Sequence, residues 1–138
     1  FDTPTEDVIE HLQLEPGTPV VYIKRLFLFD DKPLAVGRSW LSLARFPGLD
    51  ETGLGEKGLT ATLRSRYNTI IRRFNDAIEA VRPAPDERNL LDVSYDCPLL
   101  MVRGLSFDQH NVPVEYSTTY WLGDKVRFTV SMNTQEVE

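Results

Sequence analysis

The chain has 138 residues, enough for one ordinary domain, and its 15 Lys and Arg against 21 Asp and Glu give a formal charge of −6. That sum gives it no overall attraction to nucleic acid or to an anionic membrane, although a local basic patch is compatible with it. A hydrophobic share of 41% and a charged share of 26% are those of a globular protein; no apolar run approaches the ~20 residues of a membrane-spanning helix, and the single cysteine, Cys97, rules out a disulfide-stapled scaffold.

The first segment predicts a helix. Thr3 and Glu6 have capping-box spacing, Pro4 falls at the first helical position, and Val8, Ile9, His11 and Leu12 recur at helical intervals until Pro16-Gly17. Val20 to Phe29 reads as a strand with much of both faces covered. Asp30-Asp31-Lys32-Pro33 is a turn, and Leu34 to Leu43 is the return strand of a hairpin. Phe46-Pro47-Gly48-Leu49 breaks the pattern, and a Gly-rich stretch follows through Gly53, Gly55 and Gly58. Leu59 to Tyr67 predicts a second helix. Thr69 to Val81 predicts a strand with an irregularity near Asn75, and Asp86 to Leu91 a short helix after Pro83 and Pro85. Leu99 to Phe107, Val114 to Leu122 and Val126 to Met132 read as three closing strands, with turns at Asp108 to Val112 and at Gly123-Asp124. Helices and hairpins without regular βαβ alternation indicate an α+β domain, with a mainly antiparallel sheet and helices on its faces.

One pattern spans the whole chain. Leu12, Pro19 and Leu26 correspond to Leu91, Pro98 and Leu105 at a separation of 79 residues, and after the turn Pro33 corresponds to Pro113 at 80. Helix, turn, strand, turn, strand therefore occurs twice. Two copies are too few for a solenoid, so the spacing fits one sheet built from two halves, unless it is only the likeness that all helix-plus-hairpin units share.

No catalytic signature is present: no Gly-x-Ser-x-Gly, no Gly-x-x-x-x-Gly-Lys and no His-Glu-x-x-His. His11 and His110 sit in no metal-ligand spacing, which argues against a zinc site. Cys97 reads as a small structural residue and His110 as an exposed turn residue. The informative residues are charges on apolar strand faces. Side chains alternate along a strand, so Val21, Ile23, Arg25, Phe27 and Phe29 share one face, and Arg25 is its odd member. Arg38 is the odd member of the Leu34, Val36, Arg38, Trp40 face. Glu115 shares a face with Ser117, Thr119 and Trp121, a polar wall with an aromatic platform. A guanidinium on such a face either meets an anion or is an internal partner, as Arg25 or Arg38 would be with Glu115. Gly58-Leu59-Thr60 opens the second helix, where free N–H groups make either an anion site or a plain cap.

The run Val8-Ile9-Glu10-His11-Leu12-Gln13-Leu14-Glu15-Pro16-Gly17-Thr18-Pro19-Val20 resembles the start of the UTRA domain. The likeness continues through Ile23-Lys24-Arg25-Leu26, Asp31-Lys32-Pro33-Leu34-Ala35 and Arg45-Phe46-Pro47-Gly48-Leu49. It resumes at Pro98-Leu99-Leu100 and Val112-Pro113-Val114-Glu115-Tyr116-Ser117, and closes at Tyr120-Trp121-Leu122-Gly123-Asp124-Lys125-Val126-Arg127-Phe128. The resemblance covers residues 1–138 nearly throughout.

It implies a chorismate lyase-like α+β fold and the effector-sensing, homodimeric half of a bacterial GntR-type transcription regulator of the HutC subfamily. It also implies a cytoplasmic protein that is not an enzyme and holds no cofactor. DNA would be bound only by an N-terminal winged helix-turn-helix domain absent from this chain. The start at Phe1 rather than Met, without a signal-peptide pattern, agrees with a piece of a longer intracellular protein. The implied ligand is a small anionic metabolite: a phosphorylated sugar, a phosphonate or a carboxylate. By the same resemblance Arg25 matches the arginine that grips a phosphate, Gly58 and Thr60 fall near the helix-start contacts, Glu115 matches a late glutamate and Trp121 an aromatic wall. Family members carry a second arginine where this chain has Phe27, and Arg38 is the candidate to replace it. The alternative that the fold offers is a chorismate lyase-like enzyme acting on a small aromatic carboxylate, with Glu115 as its acid–base residue.

Overall fold

A computed structural model of the chain describes residues 6–134. The elements in chain order are α1 (Glu6–Leu12), β1 (Val20–Phe29), β2 (Lys32–Ser42), α2 (Leu49–Thr52), α3 (Leu59–Tyr67), β3 (Ile71–Val81), α4 (Pro85–Leu91), β4 (Leu99–Asp108) and β5 (Pro113–Leu122). The capping residues Thr3 and Pro4 lie outside the described residues. The strands form one antiparallel sheet in the order β1-β2-β5-β4-β3, so the domain is α+β.

Alternation divides the sheet into two faces. On one, α1 buries Val8 and Leu12 against Tyr116, with Trp40 and Leu105 alongside, and α4 buries Leu91 with Val36, Leu99 and Leu122. On the other, Val21 and Leu41 pack with Phe46, Leu49, Leu59 and Leu63, so α2 and α3 cover the end of that face where β1 begins. This second face is the one that carries Arg25.

The two halves repeat in detail. Each helix ends on a left-handed residue, Gln13 and Asp92, both at φ 56. The next residue closes the turn in the same way, Leu14 N–H to Ile9 O at 3.0 Å and Val93 N–H to Arg88 O at 3.1 Å. Pro19 O accepts from Leu43 and Pro98 O from Gly123, at 3.2 and 2.8 Å. Both hairpins carry a register shift at the matching step, Phe27/Leu28 and Ser106/Phe107. β2 and β5 pair at the centre, and each half packs its helix across that seam, α1 on β5 and α4 on β2. A shared preference for helix-plus-hairpin units does not explain matched bulges and caps; two related halves do.

Three expectations change. Val126 to Met132 is not a strand: β5 lies between β2 and β4, so a chain leaving Leu122 finds no free edge beside it, and Phe128, Val130 and Met132 are exposed. β1 is an edge strand rather than one covered on both faces, and Leu26, Leu28 and Phe29 are exposed. The irregularity expected near Asn75 lies instead between Ile71 and Arg73. α2 is an added turn of helix after Gly48, whose φ of 84 suits glycine. No helix among the described residues is long and apolar enough to cross a membrane.

Candidate functional site

Strand register gathers the cluster. Arg25 on β1 faces Gly37 on β2, Ile23 faces Ser39, and on the other side of β2 Ser39 faces Ser117 and Leu41 faces Glu115. Arg25, Ser39 and Glu115 therefore cross three neighbouring strands on one face. The Arg25 guanidinium donates to Ser39 Oγ at 3.4 Å, and its Nη2 lies 3.9 Å from Glu115 Oε2. The Ser39 hydroxyl donates to Glu115 Oε2 at 2.5 Å, and the Ser106 hydroxyl reaches Oε1 at 3.5 Å. Ser39 and Ser106 are buried, so these hydroxyls fix the carboxylate in place.

Arg25 is less well held. Its Nε is buried without a partner, and the contact to Glu115 is long for an ion pair. A guanidinium has five N–H donors in a planar fork, so most of its capacity is available to an arriving anion.

Aromatic rings continue the face beyond Arg25. Its guanidinium carbon lies 5.1 Å from the Phe27 ring centroid. Phe27 stacks on Trp121 with centroids 6.1 Å apart, and Phe128 meets Trp121 edge-on at 5.8 Å. Gly37 makes room for this arrangement, since a Cβ there would come within 3.1 Å of the Phe27 ring.

A cleft of about 640 Å³ runs along β1 from Val20 to Arg25 and is closed by Leu49, Asp50, Gly53 and Leu54 of α2 and the loop after it. That volume suits a small metabolite. Gly58 caps α3 at φ 90 and ψ −170. Thr62 Oγ accepts from Gly55 N–H at 2.9 Å and donates to Gly58 O at 2.7 Å, which pins the loop. Leu59 packs in the core that contains Val21, so Gly58 and the exposed Thr60 belong to the layer over the Arg25 face. The first N–H groups of a helix have no acceptor within it.

Arg38 does not join this cluster, contrary to expectation. It is one residue from Gly37 and Ser39, so alternation turns it to the opposite face. There it donates to Glu87 Oε1 at 2.7 Å and to Asp86, and its guanidinium carbon lies 5.7 Å from the Tyr120 ring centroid. Burial works against its charge, but Glu87 and Asp86 outweigh that and hold it more firmly protonated. Hydrogen bonds from Lys24 and Arg38 hold the Asp86 carboxyl below its usual range. Arg38 is thus the anchor of α4 on β2.

So the structure brings Arg25, Glu115 and Trp121 onto one face, carries Gly58 and Thr60 on the helix above it, and removes Arg38. Ser39, Ser106 and Phe27 complete the cluster and were missed as site residues. Alternation does place Ser39 and Gly37 together on β2, but their importance appears only once β1 and β5 flank that strand. Among the described residues no group of three His, Cys, Asp or Glu could hold a metal ion.

Comparison with known proteins bears on this geometry. The family model described as the UTRA domain matches residues 2–127. The HTH-type transcriptional repressor PhnF of Mycolicibacterium smegmatis is 30% identical over 124 residues, covering 90% of this chain and 50% of that protein. The chain thus spans about half the length of the curated relatives it matches. The crystal structure of the effector domain of PhnF superposes with a TM-score of 0.88 at 30% identity, covering 96% of this chain and 81% of that one. A transcriptional regulator of the GntR family from Bacillus cereus shares the fold, with a TM-score of 0.80 at 19% identity over 94% of this chain and 90% of that one.

Proposed function

Because this chain belongs to the UTRA domain family, we propose that it is the effector-sensing and dimerising part of a bacterial GntR-type transcription regulator of the HutC subfamily. Its effector is a small anion: a phosphorylated sugar, a phosphonate or a carboxylate. The observation that carries this reading is the Arg25 guanidinium, under-satisfied and bordering a cleft of metabolite size. Arg25 pairs the anion's charge. Glu115, fixed by Ser39 and Ser106, accepts a hydroxyl or amine of the ligand, and Phe27 and Trp121 wall the apolar part. The α3 N–H groups from Gly58 to Thr60 supply further donors.

DNA is bound by an N-terminal winged helix-turn-helix domain outside this chain, in the cytoplasm. The effector favours one of two dimer geometries and so changes the spacing of those domains. The regulator reading is preferred to a lyase because the relative at 30% identity is named a transcriptional repressor, and because the Glu115 carboxylate is already engaged by two serine hydroxyls.

Thermal unfolding against a panel of phosphorylated sugars, phosphonates and small carboxylates tests the reading. A ligand at 100 times its dissociation constant adds about 2.7 kcal/mol of stability. The expected result is a selective upward shift that Arg25→Ala abolishes while keeping the fold. A panel in which no anion moves the wild-type transition would overturn the anion reading.

A further inference from the structure

The internal repeat produces two cavities, one at the end of α1 and one at the end of α4, and they are not equivalent. Leu12 and Leu14 with Val114 line the first. Leu91 and Val93 with Leu34 line the second, at the same separations of 79 residues before the hairpin turn and 80 after it.

The first cavity, of about 380 Å³, is bordered by Arg45, whose charge is already answered. Asp108 pairs with it, and Pro113 O accepts from it at 3.4 Å. At the matching places the second cavity has Lys125 for Arg45 and Phe29 for Asp108. The carboxylate is thus replaced by a ring, which is 67% exposed. A second cation, Lys32, stands where the first half has Val112. Among the described residues neither ammonium has an ion-pair or hydrogen-bond partner. Asp30 and Asp92 also border this cavity, but they hold left-handed turn positions at φ 49 and 56 and pair with neither lysine. The space left open is about 740 Å³, which is metabolite size.

We propose that this second cavity is a further ligand site, taking a small amphipathic anion: a carboxylate or phosphate monoester on a short aliphatic chain. Leu34, Leu91, Val93 and Leu122 receive the chain. Lys32 and Lys125 reach the head on flexible stems, as compact charges that need no fixed fork geometry. Leu34 and Leu122 belong to the face that α4 covers, opposite Arg25, so the site does not rest on the effector reading above.

Calorimetric titration of the chain with octanoate and with octyl phosphate, each below its micellar concentration, tests it. Binding of either anion is expected, and the tighter of the two identifies the head. Octanol and octylammonium are expected to bind at least about tenfold more weakly. A Lys32→Gln, Lys125→Gln double variant should lose about tenfold in affinity for the anion. Phe29→Asp should do the same, because it sets beside Lys125 the carboxylate that Asp108 offers Arg45. All three positions are exposed, and matching thermal unfolding shows that each variant folds. Arg25→Ala should leave the affinity unchanged. The site is overturned if neither anion binds, or if octanol binds as tightly as octanoate. Loss of binding in Arg25→Ala with none in the lysine variant would overturn it too, since the anion would then lie in the cleft along β1.

Discussion

Asp108→Ala is expected to cost about 3 kcal/mol of unfolding free energy, measured by urea denaturation at neutral pH. Asp108 closes β4, and its side chain is 1% exposed. One oxygen pairs with Arg45, which follows β2 and also donates to Pro113 O at 3.4 Å. The other accepts the N–H groups of His110 at 2.8 Å and Val112 at 3.0 Å, holding the turn in which Asn111 takes a left-handed φ of 61. Alanine leaves two turn donors without that acceptor and a partly buried guanidinium without its partner. The expected loss sits at the low end for a broken buried pair because Arg45 keeps 29% exposure and can still reach water. Asp108→Asn retains an oxygen for the turn and loses only the charge, so its cost is smaller.

The same carboxyl sets an acid sensitivity. Burial tends to raise the Asp108 pKa, but the Val112 N–H, the Arg45 guanidinium and the His110 N–H outweigh it and hold the group below the usual carboxylate range. A carboxyl with a depressed folded pKa contributes stability above its unfolded value, about 3.9, and loses it as pH falls through the folded value. The gap between wild type and Asp108→Asn is therefore expected to be full at pH 7 and to shrink toward pH 2. A gap independent of pH over that range would show that the ion pair carries none of it.

Gly104→Ala is expected to cost about 2–3 kcal/mol, within the range for overpacking. An added Cβ would lie 1.9 Å from the Asp76 carboxylate, 2.3 Å from the Asn75 carbonyl oxygen and 2.8 Å from Asp76 Cα. The first contact is with a movable side chain, but the other two are backbone. Removing the carboxylate with Asp76→Ala therefore should not rescue the variant, and recovery of stability in the double variant would show that the side chain alone was at fault. The need for glycine here comes from close approach, since Gly104 is not among the glycines with positive φ. By the internal repeat Gly104 occupies the place of Arg25, so β3 fills in one half the space that the cleft leaves beside the other.

Local chemistry made much of this architecture readable. Helical spacing and its stops located α1, α3 and α4, and alternation with Asp30-Asp31 and Gln109-His110-Asn111 located the two hairpins. The matched prolines Pro19 and Pro98 announced two halves, because each shapes the same entry into a strand and offers its carbonyl to the same return bond. Alternation also set Arg25 apart on an apolar face, and Glu115 with Trp121 on another.

What alternation cannot supply is which faces coincide. Arg25 and Arg38 look alike in sequence, each a charge among apolar neighbours, yet register turns one toward Glu115 and the other toward Glu87. The Val126 to Met132 segment alternates apolar and polar residues and so carries the propensity of a strand, but pairing needs a free edge and β5 has none. Sequence by itself therefore determined α1, α3, α4 and the strands β1 to β5, the matched halves and the candidate charges, since each of these is written in local spacing, but neither α2 nor the fate of residues 126–132. Only the tertiary structure decided the strand order, and with it the grouping of Arg25, Ser39 and Glu115, because that depends on contacts between strands far apart in the chain.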